Sequence, residues 1–216
     1  MEKGELLDRI RDIGLVAVIR LRDGGRLDEV VEALGRAGAT IMEITTTVPE
    51  AIEQISRCTS KFDDFIFGCG TIIDRETAVS AIEGGAEFVV SPVLQEEMLE
   101  VARSEGVLAI PAAMSPSEIW RAVSLGADAV KLFPAKSLGP DFIHDVLGPL
   151  PGISIMPAGG VDAGNAASYI KAGAAAVFSG SSIVSDRVLR EEGPGRIEAS
   201  AREMLDRISM ARGGLE

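Results

Sequence analysis

The chain repeats one pattern, in which a short apolar run is followed by a polar loop and then by a longer amphipathic stretch. Short apolar runs bounded by turn residues are typical of buried strands, and they predict strands here rather than helices. Eight such runs predict strands at residues 15–20, 40–45, 65–70, 88–91, 107–111, 129–133, 153–157 and 175–179.

The stretches between these runs carry apolar residues at helical spacing, which predicts helices with one buried face. Several of them end at a glycine followed by alanine, such as Gly126-Ala127, and a glycine at this place commonly terminates a helix. The predicted helices are 27–37, 50–58, 75–83, 95–104, 117–125, 141–147, 163–171 and 195–212, with an additional N-terminal helix at 3–13.

Eight strands that alternate with helices predict an α/β fold, a (β/α)₈ TIM barrel preceded by an extra helix. An open, doubly wound sheet is the alternative. No linker or low-complexity segment divides the chain, so we expect a single domain over residues 1–216. In a barrel of this kind the active site lies at the carboxyl ends of the strands.

Composition narrows the classes of function. Of the 216 residues, 46% are hydrophobic, and the formal net charge is −12. This charge argues against a general binder of nucleic acid or of anionic membranes, because both need a basic surface. A small anionic ligand remains compatible, since a few backbone amides can hold a phosphate locally.

The scarce residue types exclude further classes. His144 is the only histidine, so histidine-based metal clusters and Ser-His-Asp triads are not expected. Cys58 and Cys69 form no C-x-x-C pair, which predicts two reduced thiols in a cytoplasmic protein. The N-terminus has no apolar signal region, and no apolar run is long enough to span a bilayer.

Lys131 is the most informative residue, because it stands inside the apolar segment 129–133. An apolar environment disfavours an ammonium ion, and a neutral amine can attack a carbonyl carbon. A strand-end lysine that pairs with a buried carboxylate, or that extends its amine to water, is the simpler alternative.

A carboxylate with the same orientation lies on the second predicted strand. Alternation along that strand places Glu43 on the inner face and Met42 and Ile44 on the face towards the helices. We therefore expect Glu43 and Lys131 to approach each other inside the barrel. The pair is either a structural ion pair or a Schiff-base lysine with its general acid/base.

Other strand ends carry groups that bind anions. Arg20 ends the first strand, and Gly70-Thr71 ends the third. Gly159-Gly160 follows the seventh strand and Gly180-Ser181 the eighth, the two places where barrels commonly bind phosphate through loop amides. Ordinary turn glycines are the alternative at these positions.

Together, these segments resemble the class I 2-keto-3-deoxy-6-phosphogluconate (KDPG) and 4-hydroxy-2-oxoglutarate (KHG) aldolase family. The similarity extends from about Leu15 to Val184. The motifs that carry it are Met42-Glu43-Ile44-Thr45, Gly68-Cys69-Gly70-Thr71, Phe88-Val89-Val90-Ser91-Pro92, Lys131-Leu132-Phe133-Pro134-Ala135, Pro157-Ala158-Gly159-Gly160-Val161 and Gly180-Ser181.

The resemblance implies roles for individual residues. Lys131 corresponds to the Schiff-base lysine and Glu43 to the general acid/base. The implied substrate-binding residues are Arg20, Thr47, Gly70, Thr71, Pro92 and Phe133, and the implied phosphate-binding residues are Gly159, Gly160, Gly180 and Ser181. The family also implies a homotrimer and no metal. No cofactor is expected, and the composition predicts no nucleic-acid or membrane partner.

The chain departs from the family pattern at several positions. Thr47 stands where some members carry arginine, with Arg20 as a substitute charge. Ala112 replaces a usual glycine, Ala158 a frequent threonine and Ser179 a frequent glycine. These changes bear on which sugar acid is preferred.

The expected function is therefore a lyase of the Entner-Doudoroff pathway, which cleaves a phosphorylated keto-deoxy sugar acid, KDPG, to pyruvate and glyceraldehyde 3-phosphate. Cleavage of 4-hydroxy-2-oxoglutarate to pyruvate and glyoxylate, or of 2-keto-3-deoxy-6-phosphogalactonate, is also compatible. Two other classes stay open at this point: a phosphate-binding barrel isomerase and a non-catalytic phospho-sugar binder.

Overall fold

A computed structural model describes residues 2–213. The expected domain 1–216 also includes Met1 and residues 214–216, which lie outside the described part. The strands are β1 Leu15–Ile19, β2 Ile41–Thr45, β3 Ile66–Gly70, β4 Phe88–Val90, β5 Leu108–Ile110, β6 Ala112–Ala113, β7 Val130–Leu132, β8 Ile155–Pro157 and β9 Val177–Ser179. The helices are α1 Lys3–Ile13, α2 Leu27–Ala37, α3 Ala51–Lys61, α4 Arg75–Glu83, α5 Glu96–Glu105, α6 Pro116–Ser124, α7 Asp141–Leu147, α8 Ala166–Lys171, α9 Asp186–Glu191 and α10 Pro194–Gly213.

The strands are parallel and form a curled sheet that closes on itself. One part has the order β5-β4-β3-β2-β1-β9, and the other has the order β6-β7-β8. The Ala175 amide donates to the Ile155 carbonyl at 2.9 Å, which joins the segment leading into β9 to β8. The predicted TIM barrel is confirmed, and the open doubly wound sheet was the wrong alternative.

The fifth predicted strand, 107–111, ends at Ile110 in the structure, and a second short strand that was not predicted, β6, follows Pro111. Proline has no N–H to donate to a neighbouring strand, so the ladder breaks there. β5 pairs with β4 before the break, and β6 pairs with β7 after it. The two pieces together occupy one position in the barrel wall and connect its two halves.

Strand alternation divides the apolar residues into two layers. Met42, Ile44 and Cys69 face the layer between the sheet and the helices, as the sequence pattern predicts. Residues of the opposite parity, such as Phe88 and Phe178, fill the barrel interior. The interior is thus a packed core, and only its carboxyl end is available for chemistry.

Helix α1 closes the other end of the barrel. Leu6 and Ile10 pack against the interior residues at the amino ends of the strands. The Lys3 ammonium lies 2.8 Å from the Asp128 carboxylate, just before β7, which fixes the helix across the opening. The extra N-terminal helix predicted from sequence therefore seals the face opposite the site.

Two differences from the predicted helices have local causes. Helix α8 begins at Ala166 rather than at 163, because the Asp162 amide donates to the Asn165 side chain at 3.0 Å and a turn forms there. Helix α9 was not predicted, since its six residues are too few to show a helical period. No helix within residues 2–213 is long and apolar enough to cross a membrane.

Candidate active site

Glu43 on β2 and Lys131 on β7 meet inside the carboxyl end of the barrel. The Lys131 Nζ lies 3.5 Å from the Glu43 Oε2. Both residues are buried, Glu43 with 1% and Lys131 with 8% of its surface exposed. Their two strands lie on opposite sides of the barrel, so inward side chains from each converge on the axis.

The Glu43 carboxylate lies against the backbone of β3. A Cβ at position 70 would overlap the carboxylate, so glycine is required at Gly70 by this contact. Within residues 2–213, Oε2 has no hydrogen-bond partner in spite of its burial. A buried polar atom without a partner is costly, and here it points towards the amine of Lys131 and the space next to it.

Aromatic rings flank the Lys131 amine. Its Nζ lies 5.2 Å from the centre of the Phe178 ring and 5.8 Å from that of Phe133. Phe178 was not among the residues singled out from the sequence. Its position two residues before Gly180, on the inward parity of β9, was the signal that would have identified it.

A cavity of about 450 Å³ opens from this pair towards the turns that follow β8 and β9. Its walls combine the ion pair, the two aromatic rings and the glycine turns. The residues that line it are Val18, Arg20, Glu43, Lys131, Phe133, Ala158, Gly159, Gly160, Val161, Asp162, Phe178, Gly180, Ser181, Ser182, Val184, Ser185 and Asp186. The volume suits a small molecule of sugar-phosphate size.

The far end of the cavity is built from backbone. Gly159 and Gly160 have φ values of 84° and 83°, a region that residues with a side chain rarely adopt. A Cβ at Gly159 would lie 3.0 Å from the Phe133 ring, and one at Gly160 would lie 2.6 Å from the Lys136 stem. Among the described residues, the amides of Gly160 and Ser181 donate no hydrogen bond and remain available to an anion.

A cluster of hydroxyl groups joins the two turns. The buried Ser179 Oγ donates to the Val161 carbonyl at 2.9 Å and lies 2.6 Å from the Ser182 Oγ. The Ser182 Oγ also lies within 3.1 Å of the same carbonyl. The turn after β9 is thereby tied to the turn after β8 at a fixed separation.

Arg20 provides the only arginine in the cavity wall. It follows β1, and its side chain is exposed. No carboxylate within residues 2–213 lies in salt-bridge distance of its guanidinium, so the group is available to a negatively charged ligand. The acidic residues Asp162 and Asp186 also line this part of the cavity and were not singled out from the sequence.

The remaining predicted site residues lie at the same end of the barrel, outside this cavity wall. Thr71 follows β3 and is half-buried, and Pro92 follows β4. Thr47 is exposed, and its Oγ1 lies 2.7 Å from the Oγ1 of Thr45. The structure thus brings Arg20 and Phe133 to the Lys131 cavity, whereas Thr47, Thr71 and Pro92 are not among the residues that line it.

The thiol of Cys69, next in the chain to Gly70, is buried. Cys69 faces the layer under the helices, and burial, with a smaller contribution from the Glu43 charge, raises its pKa to about 12. Across the described part of the chain, no three His, Cys, Asp or Glu side chains are grouped so as to hold a metal ion.

Comparison with known proteins agrees with this geometry. The family model for KDPG and KHG aldolases matches residues 6–200. The 2-dehydro-3-deoxy-phosphogluconate aldolase of Pseudomonas aeruginosa is 30% identical and covers 94% of this chain and 92% of its own. A probable 2-dehydro-3-deoxy-6-phosphogalactonate aldolase of Rhizobium meliloti is 29% identical and covers 78% of this chain and 81% of its own.

A solved structure shows the same fold. The KDPG aldolase of Legionella pneumophila superimposes with a TM-score of 0.86 at 24% identity, over 94% of this chain and 98% of that one. Both chains are covered almost completely, so the similarity is one of the whole fold.

Proposed function

The chain belongs to the KDPG and KHG aldolase family and is a class I aldolase, and we propose that it cleaves 2-keto-3-deoxy-6-phosphogluconate to pyruvate and glyceraldehyde 3-phosphate. The observation that carries this proposal is the buried pair of Lys131 and Glu43, 3.5 Å apart, at the base of a cavity that ends in amide-rich turns. The pair supplies an amine and a proton carrier, and the turns supply a place for the phosphate.

Lys131 is the proposed nucleophile. Its neutral amine attacks the C2 ketone, a C–N bond forms, and the ketone oxygen takes up a proton to give a carbinolamine. Loss of this oxygen as water leaves a protonated imine. The aromatic faces of Phe133 and Phe178 can stabilise a cation at this nitrogen without forming a covalent bond to it.

Glu43 is the proposed proton carrier. As a carboxylic acid it donates the proton that lets water leave from the carbinolamine, and as a carboxylate it accepts the proton of the C4 hydroxyl. The Oε2 atom suits this role because it has no hydrogen-bond partner within residues 2–213. A carboxylate already held by several donors would be a weaker base.

Cleavage then follows from the imine. As the C4 hydroxyl loses its proton, the C3–C4 bond breaks and its electron pair moves to the iminium nitrogen, which gives an enamine. Glyceraldehyde 3-phosphate leaves, C3 of the enamine takes up a proton, and water hydrolyses the resulting imine to pyruvate and the free lysine. Electrons and protons balance without a redox cofactor.

The phosphate is proposed to bind at the turns after β8 and β9. The free amides of Gly160 and Ser181 can donate to its oxygens, and the absence of a side chain at Gly159 and Gly160 lets it approach closely. Arg20 adds a positive charge to the same cavity. At the reactive end, Thr71 and Gly70 are proposed to bind the carboxylate that becomes that of pyruvate, with Pro92 and Thr47 shaping its border.

The range of substrates is proposed to include related keto acids. Phosphogluconate- and phosphogalactonate-type relatives have similar identity to this chain, 30% and 29%. The two substrates differ in configuration at C4, one of the two carbons of the breaking bond, and we propose that Glu43 accepts the C4 hydroxyl proton from either. 4-Hydroxy-2-oxoglutarate has no phosphate, so it would use the reactive end and leave the turns after β8 and β9 empty.

We further propose that the protein assembles as a homotrimer, as the family resemblance implies. Four large apolar residues are exposed on the side of the barrel that carries β3, β4 and β6. They are Ile73, Val93, Met114 and Trp120, and 43–62% of the surface of each residue is accessible to solvent. Large apolar side chains exposed on one side of a protein are typical of a protein contact surface. Light scattering on the wild type and on Trp120→Asp tests this, and a monomeric wild type would refute it.

The first experiment on the function is reduction with sodium borohydride in the presence of pyruvate, followed by intact mass and peptide mapping. A single reduced pyruvate adduct on Lys131 is expected. A folded protein that gives no adduct at excess pyruvate would contradict the Schiff-base mechanism and favour an isomerase of the same fold. Adduct formation without turnover of any tested keto acid would favour a non-catalytic binder.

A further inference from the structure

Thr71 adopts a backbone conformation that is unusual for its residue type. Its φ is 67°, and among the non-glycine residues of 2–213 only Glu50 also has a positive φ. A β-branched residue is disfavoured in this region, and such conformations persist only where surrounding contacts enforce them. The contacts that enforce it therefore show what holds this strand end in shape.

Thr46, the residue after β2, contacts both peptide groups that flank the Thr71 Cα. Its backbone amide donates to the Gly70 carbonyl at 2.8 Å, and its Oγ1 donates to the Thr71 carbonyl at 3.1 Å. On the far side, the Ile72 amide donates to the Val90 carbonyl of β4 at 3.1 Å. Both dihedral angles of Thr71 are thus determined by its neighbours in the barrel.

This arrangement directs the Thr71 amide away from Thr46. In a trans peptide the N–H points opposite to the preceding carbonyl, and the Gly70 carbonyl is bound to Thr46. Within the described residues, the Thr71 amide donates no hydrogen bond. A free amide and a hydroxyl on one residue, at the strand end next to Glu43, form a pair of donors suited to a carboxylate.

We propose that Thr46 is the positioning residue for the carboxylate of the bound keto acid, acting through Thr71. The inference rests on the proposed function, which places that carboxylate at Thr71. Thr46 contacts no reacting atom in this scheme. Its hydroxyl keeps the Thr71 carbonyl turned towards β2, so that the amide and hydroxyl of Thr71 are already oriented before the substrate arrives.

Pyruvate itself is the probe, because it contains only the part of the substrate that this subsite binds. Trapping by borohydride is followed by intact mass over a range of pyruvate concentrations. In Thr46→Val, the half-saturating pyruvate concentration is expected to rise roughly tenfold. This is about the change in affinity expected when one hydrogen-bonding group of the binding site is no longer held in place. The limiting trapping rate is expected to stay unchanged, because Lys131 and Glu43 keep their positions.

Two further variants distinguish positioning from damage to the fold. Thr46→Ser keeps the hydroxyl and should restore the wild-type half-saturating concentration. Thr59→Val removes a threonine hydroxyl that also contacts a backbone carbonyl, that of Gly85 at 3.5 Å, on helix α3 away from the site. It should leave both trapping parameters unchanged, and thermal melting of all variants confirms that each is folded.

The possible results separate the two proposals. If the wild type forms no pyruvate adduct, the proposed function itself fails. If the wild type forms the adduct and Thr46→Val has the same half-saturating concentration, only the role of Thr46 is overturned. A Thr46→Ser variant that behaves like Thr46→Val, or a Thr46→Val variant that loses limiting rate alone, would overturn it equally.

Discussion

The two ends of the cavity are built in different ways. At the reactive end, two ionisable side chains from opposite strands, Glu43 and Lys131, are buried and lie 3.5 Å apart. At the other end, exposed loops offer backbone amides, and two acidic residues, Asp162 and Asp186, share the wall. One end depends on particular side chains, and the other depends on the shape of the main chain.

The difference shows how a strongly acidic protein can bind an anion. With a net charge of −12, the chain offers no general positive field to attract a phosphate. In the proposed binding mode, backbone amides donate to the phosphate at short range, where the interaction does not depend on net charge. The reactive end has the opposite need, since only ionisable groups can form an imine and carry protons.

Replacement of the nucleophile should have the largest effect. Lys131→Ala removes the amine, so borohydride reduction with pyruvate should give no adduct and cleavage of the phosphorylated keto acid should fall below detection. Lys171→Ala, which changes an exposed lysine on α8, is the matched control and should keep both. Full activity in Lys131→Ala would refute the mechanism.

Loss of the proton carrier should come next. Glu43→Gln keeps the size of the side chain and removes its basicity, so kcat should fall roughly 10²- to 10⁴-fold. The same change should slow exchange of the pyruvate methyl protons with deuterium in D₂O, which NMR measures. Exchange at the wild-type rate would show that another group carries the protons.

Substitutions in the turns after β8 and β9, the proposed phosphate site, should lower activity less, and by an amount that depends on the substrate. In Gly160→Ala, the new Cβ meets the Lys136 stem, and the turn must shift its amides. We expect kcat/KM for the phosphorylated keto acid to fall about 10- to 100-fold, with pyruvate trapping unchanged.

Gly126→Ala is the control for Gly160→Ala. The substitution places a Cβ on a residue with a similar φ of 94°, and no atom lies within 4 Å of that Cβ. Gly126 does not line the cavity. The substitution should lower stability and leave kinetics unchanged. A loss of pyruvate trapping in Gly160→Ala equal to its loss of cleavage would mean that the two ends are not separable.

Loss of a hydroxyl from the Ser179 and Ser182 cluster should have a smaller effect on activity. Ser179→Ala removes one of the two hydroxyls near the Val161 carbonyl, and Ser182 still reaches that carbonyl at 3.1 Å. The ratio of kcat/KM for KDPG to that for 4-hydroxy-2-oxoglutarate should fall a few-fold, as expected for one hydrogen bond. Ser154→Ala changes a buried serine at the amino end of β8, the end of the barrel away from the cavity, and should leave this ratio unchanged.

The smallest effect is expected from thiol reagents. Burial raises the pKa of Cys58 to about 11 and of Cys69 to about 12, so the reactive thiolate is scarce in the folded protein at about pH 8. Iodoacetamide should leave mass and activity unchanged until denaturant is added, after which both thiols should react. Rapid alkylation of folded protein at Cys69 would show that the wall next to Glu43 opens.

Much of the fold was predictable because its signals are local. Side chains alternate between the two faces of each strand, so the sequence next to Glu43 and Lys131 is enough to predict that both side chains point into the barrel. The glycine signals before the strands locate the helix ends in the same way. Phe178 lies on the same parity of β9 and was accessible to this reasoning, although it was not singled out.

Other features were not predictable in this way. The break at Pro111 depends on the neighbouring strands, because proline has no N–H to pair with them. Helix α9 is too short to show a helical period in the sequence. The shift of the α8 start depends on side-chain contacts of Asn165 within a turn.

By itself, the sequence determined the barrel, the strand ends at which the proposed site lies and the inward direction of the Glu43 and Lys131 side chains. Only the tertiary structure decided the distance between Glu43 and Lys131, the contact of Thr46 with the peptides around Thr71, and the connection of two turns through Ser179. The physical reason is that hydrophobic periodicity and turn-forming residues depend only on neighbours in the chain. Contacts between strands depend on register and barrel closure, which bring together residues that are far apart in sequence.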